Sequence, residues 1–141
     1  MSITKAPRTR VADTAMTAAI VEFTLITAYI HFSLGGPLFT LNALGYLVLA
    51  IALTIGAARP HPLVARFSWL PRVGLAGYAL ATIGAYVVVG PYFNLGWVAK
   101  GIEVAILTLL AADVVRAYGS PACLMRAAIA SVLGPTNVRA A

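Results

Sequence analysis

Four apolar stretches, residues 13–34, 38–58, 73–92 and 97–118, run through the chain, and nine of its ten basic residues lie on one side of them. Each stretch is about 20 residues long, the length that crosses a hydrocarbon core of ~30 Å as a helix. Lys5, Arg8 and Arg10 precede the first stretch. Arg59, Arg66 and Arg72 lie between the second and third, and Arg116, Arg126 and Arg139 close the fourth and follow it. With four crossings these three clusters share one face. Basic residues beside membrane spans stay cytoplasmic, so both termini are expected inside. The predicted fold is therefore all-α: an integral membrane four-helix bundle, N-in and C-in, with a short interfacial helix near the C-terminus. Residues 1–12 read as a cytoplasmic N-terminal tail, 13–119 as the four-helix domain and 120–141 as a cytoplasmic C-terminal tail.

Composition agrees with this reading. Only 10% of residues are charged and 61% are hydrophobic, whereas soluble domains carry about 25% charged residues. A net charge of +6 is compatible with nucleic-acid binding in general. Here it follows from the positive-inside distribution and from contact with anionic headgroups. No basic face or aromatic platform lies outside the spans, so no nucleic-acid partner is expected. The expected surroundings are the lipid bilayer, as a bacterial plasma (inner) membrane, and other membrane helices in a homo- or hetero-oligomer. The single cysteine, Cys123, excludes an internal disulfide and a CxxC site. The N-terminus imitates a signal peptide, but its apolar run exceeds an h-region of roughly 7–15 residues, so it is read as a retained first span.

Local signals fill in the connections. Asp13 or Thr14 is expected to cap the first helix. Gly35-Gly36-Pro37 is a tight turn that makes the first two helices an antiparallel hairpin. Gly45, Ala52 and Gly56 share a face of the second helix, and Gly77, Ala81 and Gly84, flanked by Gly74 and Ala85, mark the third. Small residues at such spacing let helices approach closely in lipid. Pro60, Pro62 and Pro71 forbid a long regular helix between Arg59 and Arg72, with Phe67 and Trp69 expected at headgroup level. Tyr92 and Trp97 suit the opposite interface. After Gly119, Ser120 and Pro121 read as an N-cap and first helical residue. The helix they start, over 123–133, presents Leu124, Met125, Ile129, Val132 and Leu133 to lipid and stops at Gly134-Pro135.

Ionisable residues inside spans are costly and usually face a bundle interior or a cavity. Lys100 and Glu103 are three apart at the start of the fourth span, and Glu103 lies roughly 7–10 Å below the outer surface at ~1.5 Å per residue. His31 is about one turn from the outer end of the first helix, and Asn42 about one turn into the second. His31, Asn42, Lys100 and Glu103 thus come to one level, which Tyr29, Tyr92 and Asn94 can join. The same arrangement is also what a hydrogen-bonded layer locking the helices together looks like. Glu22 stands alone near mid-membrane. It shares a face with Tyr29 and points opposite to His31, either as a neutral hydrogen-bond donor to a neighbouring helix or as a proton- or cation-carrying carboxylate. Asp113, three residues before Arg116, reads as one half of an interfacial ion pair with it.

Several chemistries are set aside. A bis-histidine haem needs two intramembrane histidines, and His61 is in a basic-side loop. HExxH, Walker and GxSxG motifs are absent. No catalytic residues or metal ligands are assigned, and no cofactor is specified. Four short helices with a lone glutamate in the first resemble the small multidrug resistance transporters. That resemblance covers the plan and Glu22. This chain is longer and strongly charge-biased, and it lacks their aromatic motifs around helices three and four, so membership does not follow. Three functions stay open. The leading one is a non-catalytic subunit or accessory component of a larger membrane assembly. The second is a small oligomeric proton- or cation-coupled transporter or channel using Glu22 and the outer polar layer. The third is an enzyme or cofactor binder at the outer face, built on His31, Lys100 and Glu103.

Overall fold

The computed structural model describes residues 10–58 and 61–134. Lys5, Arg8, Arg59, Arg139, Pro60 and Pro135, on which part of the charge and turn reading rests, lie outside the described residues, as does the side chain of Arg10. The described chain is helical: α1 (Arg10–Leu34), α2 (Pro37–Ala58), α3 (Pro62–Arg66), α4 (Leu70–Val89), α5 (Asn94–Tyr118) and α6 (Pro121–Leu133). α1 packs on α2 and α5, and α4 packs on α2 and α5. All four long helices supply the core, with Ile20 from α1, Tyr46 and Leu53 from α2, Leu75 from α4, and Ile106 and Leu110 from α5.

Three of these helices are long and apolar enough to cross a membrane: Val11–Leu34, Pro37–Ala58 and Leu70–Val89. The sequence predicts a fourth. α5 has the length, 25 residues, but carries Lys100, Glu103, Asp113 and Arg116. The first three of those charges are buried against the other helices, while Gly101, Val104, Thr108 and Val115 face out. The outer face of α2 is mostly apolar, with Leu41, Leu44, Val48, Ile51 and Ile55 exposed. In water such a face is an aggregation site, and in lipid it is the ordinary surface.

Backbone chemistry sets the element ends. Gly35 and Gly36 have φ of 70° and 83°, a left-handed conformation that costs an L-residue with a Cβ roughly 1–2 kcal/mol. Pro37 then opens α2, where a missing N–H leaves no hydrogen bond unmade. α4 starts at Leu70 instead of 73 because Pro71 falls in its first turn, where proline is tolerated. It ends at Val89, so the connection to α5 is only residues 90–93. α3 was not foreseen. Pro62 starts it, and His61 caps it by accepting from the Leu63 N–H at 3.3 Å, giving a loop histidine a structural task. Ser120 caps α6 as expected, accepting from the Cys123 N–H at 3.1 Å, with Pro121 following.

Two expectations need correction. α1 already begins at Arg10, so Asp13 lies within its first turn and pairs with Arg116 at 3.0 Å instead of capping. Asp113 does not pair with Arg116. It takes the Arg72 guanidinium of α4 at 2.6 Å, a contact across helices that spacing along α5 cannot reveal. Trp69 also makes a specific contact within the chain. Its indole N–H donates to Ser131 Oγ at 2.9 Å while Arg66 donates to the Ser131 carbonyl at 2.7 Å, which ties α6 to the α3–α4 junction. Met125, Ile129, Val132 and Leu133 face outward as expected, and Leu124 is half-buried.

The small-residue stripes divide. On α2 they receive neighbours: a Cβ at Gly45 would collide with the Tyr78 hydroxyl, and one at Gly56 would meet Pro71 and Ser68. On α4 only Gly74 is packed, against Leu49, while Gly77 and Gly84 border open space.

Candidate functional site

The end of the molecule that carries the α1–α2 turn holds a buried polar cluster beside a cavity. Glu103 is its centre and is 0% exposed. The Lys100 ammonium, one turn earlier on α5, reaches both carboxylate oxygens at 2.7 and 2.6 Å. Thr82 of α4 donates to Oε2 at 2.9 Å. Tyr46 of α2, also fully buried, lies 2.8 Å from the Thr82 hydroxyl. Thr82 has a single proton, and a carboxylate is a stronger acceptor than the Ala79 carbonyl it can also reach at 3.0 Å. The protons therefore run Tyr46 to Thr82 to Glu103, a polarised chain that links α2, α4 and α5.

His31 completes the cluster from α1. Its Nδ1 lies 2.8 Å from the Thr27 carbonyl, which can only accept. Nδ1 thus carries the hydrogen, and the neutral ring presents a bare Nε2 lone pair. Nε2 is 3.7 Å from Glu103 Oε1, too far for a hydrogen bond and close enough for an ion pair once the ring is protonated. The Thr27 hydroxyl is buried without a partner. Rings hold the imidazole in place: Tyr46 at 5.6 Å and Phe39 at 6.4 Å between centroids.

Beside the cluster lies a cavity of about 370 Å³ between the four long helices. His31, Asn42, Tyr78, Thr82 and Lys100 are its polar lining residues, and Leu34, Phe39, Ala85, Tyr86 and Phe93 are among its mostly apolar walls. Tyr78 lies across Gly45 and donates to the Asn42 carbonyl at 3.3 Å. Tyr86 is fixed by two bonds to Phe93, accepting from its N–H and donating to its carbonyl, both at 3.1 Å. Its ring sits over Gly96, where a Cβ would overlap it, and 5.6 Å from the Lys100 ammonium.

Of the six predicted site residues, the structure brings His31, Lys100 and Glu103 into one cluster, and Asn42 borders the same cavity. Glu22 and Tyr29 do not join. Both are exposed on the opposite side of α1, on a shallow surface with Ala18, Val21, Leu25 and Ile26. Tyr92 is also outside the cluster, donating to the Val87 carbonyl at 2.7 Å and stacking on Trp97 at 6.0 Å. Sequence reasoning missed Tyr46, Thr82, Tyr78 and Tyr86. Three of them, at 78, 82 and 86, stand four apart on α4, a spacing that puts polar groups on one helical stripe. Among the described residues no group of three or more His, Cys, Asp and Glu is placed to hold a metal ion.

Searches against protein-family models, curated proteins and solved structures find no match for this chain.

Proposed function

We propose that this chain is a four-helix integral membrane protein, with α1, α2, α4 and α5 as spans, that holds a small lipophilic molecule in the cavity between them. It acts as the ligand-holding component of a membrane assembly and not as a catalyst. The observation that carries the reading is the cavity itself: about 370 Å³, mostly apolar walls and a few polar lining residues, of which His31 and Lys100 are buried. Small-molecule sites have this composition, with few polar groups fixing the orientation and apolar surface supplying affinity. A layer that only locks helices together has no need of such a space, since close packing is worth more than a void.

Counting α5 as a span rests on where its charges point. Lys100 and Glu103 neutralise each other inside, Asp113 meets Arg72, and the outer face of α5 is uncharged down to Arg116. Arg66, Arg72, Arg116 and Arg126 then gather at one end, which is the cytoplasmic end by the positive-inside rule. The cavity is consequently at the outer end.

The test is native mass spectrometry of the protein released from lipid nanodiscs, followed by organic extraction. The expected result is a small lipophile in near-stoichiometric amount, lost when Ala85→Phe fills the cavity from its exposed wall. Protein that carries no such molecule, and in which Ala85→Phe changes the retention of no added lipophile, overturns the reading.

A further inference from the structure

Resting on that reading, we infer that the cavity takes a neutral, planar carbonyl compound from the bilayer, of the quinone-headgroup class. Charge is the first argument. Lys100 and Glu103 form a self-neutral pair, and His31 adds no charge in its neutral form with the hydrogen on Nδ1. An anionic lipophile would bring a buried charge without a counterion, which is costly in a low-dielectric site. A neutral ligand needs no compensating proton.

Donor counting is the second argument. An ammonium has three N–H groups. The two Glu103 oxygens engage at most two of them, and Lys100 borders the cavity, so at least one remains for a ligand oxygen. A carbonyl oxygen accepts that bond. His31 also lines the cavity, and its bare Nε2 is the complementary acceptor for an O–H. One site therefore serves both a carbonyl and its reduced hydroxyl form without rearrangement.

Shape and access are the third argument. Four aromatic residues, Phe39, Tyr78, Tyr86 and Phe93, line the space, which suits a flat unsaturated ring. The wall between α2 and α4 consists of Leu38, Leu41, Ala81, Ala85 and Val89, all of which line the cavity and are also exposed on the outside. The opening is thus lateral, toward lipid, where such molecules partition.

Trp97 supplies the readout. It lies 5.3 Å from the Tyr86 ring, whereas Trp69 is at the opposite end against Ser131. In Trp69→Phe protein, reconstituted in nanodiscs, decylubiquinone is titrated while Trp97 fluorescence is followed, with decanoic acid and decanol in parallel. The expected result is saturable quenching by the quinone, relieved by neither decanoic acid nor decanol. Affinity falls roughly tenfold or more in Lys100→Met/Glu103→Gln, the loss of one charged-donor hydrogen bond without a buried orphan charge. Ala85→Phe, whose site is on the exposed wall, abolishes saturation and controls for misfolding. Displacement by decanoic acid overturns the inference in favour of an acidic lipophile. Quenching that is unsaturable or equal in all variants overturns it as well. If a different lipophile co-purifies, the inference fails while the ligand-holding function stands. If nothing co-purifies and nothing binds, both fail.

Discussion

The two ends of the molecule each bury an ion pair, and the one at the α1–α2 turn lies beside a cavity. At the α6 end, Arg72 donates to Asp113 at 2.6 Å and to the Ser68 carbonyl at 2.7 Å, with Tyr118 beneath its guanidinium at 5.9 Å. Those partners join α4 to α5 and to the α3–α4 junction. At the other end, Lys100 and Glu103 sit on the same helix three residues apart, so their pairing joins no helices by itself. Thr82, Tyr46 and His31 make the connections there, and the cavity lies against Lys100 and His31. The difference separates two uses of buried charge. A pair between helices specifies packing, whereas a self-contained pair on one helix, beside a cavity, specifies little packing by itself.

That contrast is broken most directly at Asp113. Asp113→Ala leaves Arg72 buried without its carboxylate, which costs about 3–5 kcal/mol when one partner of a buried pair is removed. Thermal or denaturant unfolding in detergent should show this loss, while decylubiquinone affinity, measured where the variant is still folded, stays unchanged. A ligand effect as large as the stability effect would mean that the two ends act as one unit.

The matching change at the other end should be milder in stability and stronger in binding. In Lys100→Met the orphaned Glu103 can take up a proton, an escape that an arginine lacks, and Thr82 still donates to it. We expect about 2–3 kcal/mol, a discount on the orphaned-charge penalty. Adding Glu103→Gln should recover part of it, because no buried charge then remains. A double-mutant cycle across the two sites measures the coupling. A double variant no more stable than Lys100→Met alone would give the pair a packing role beyond its charges.

Gly45 tests whether the cavity rim is built or incidental. A Cβ there overlaps the Tyr78 hydroxyl, the far end of a side chain that can swing away. Gly45→Ala should cost about 1 kcal/mol, the low end for overpacking. It should also push Tyr78 toward the cavity and weaken ligand retention more than it weakens the fold. Gly77→Ala, where nothing lies within 4 Å, is the control and should raise helix stability slightly.

How much of this was legible follows from what a sequence can encode locally. The three apolar helices, the Gly35-Gly36-Pro37 turn and the Ser120-Pro121 start depend on hydropathy, positive φ and capping, all of which are properties of adjacent residues. The level of His31, Lys100 and Glu103 followed from counting residues along helices whose ends were nearly known. The rotation of one helix against another did not. It decides that Asp113 meets Arg72 and not Arg116, and that Tyr46 and Thr82 complete the Glu103 cluster. It also puts Asn42 at the cavity and not in the ion pair. Threonines and tyrosines in apolar helices carry no charge signal, and only the four-residue spacing of Tyr78, Thr82 and Tyr86 marked them. The cavity had no signature at all, since a void is a property of packing between elements.

Glu22 gives the smallest expected effect and the sharpest limit on the contrast. It is exposed on α1 among Ala18, Val21, Leu25, Ile26 and Tyr29, on the side away from His31, so neither ion pair feels it. Under the membrane reading this surface faces lipid, where a carboxyl group without a partner contributes little to the fold. Glu22→Leu replaces it with a side chain that hydrocarbon solvates well. Stability should then change by about 0.5 kcal/mol or less, and decylubiquinone affinity should not change. Native mass in mild detergent is the discriminating measurement. If the variant keeps the wild-type mass, buried charge matters in this protein only where helices of one chain enclose it. If the mass falls, Glu22 lies in an interface between chains, and a third class of buried carboxyl, completed only on assembly, joins the two compared above.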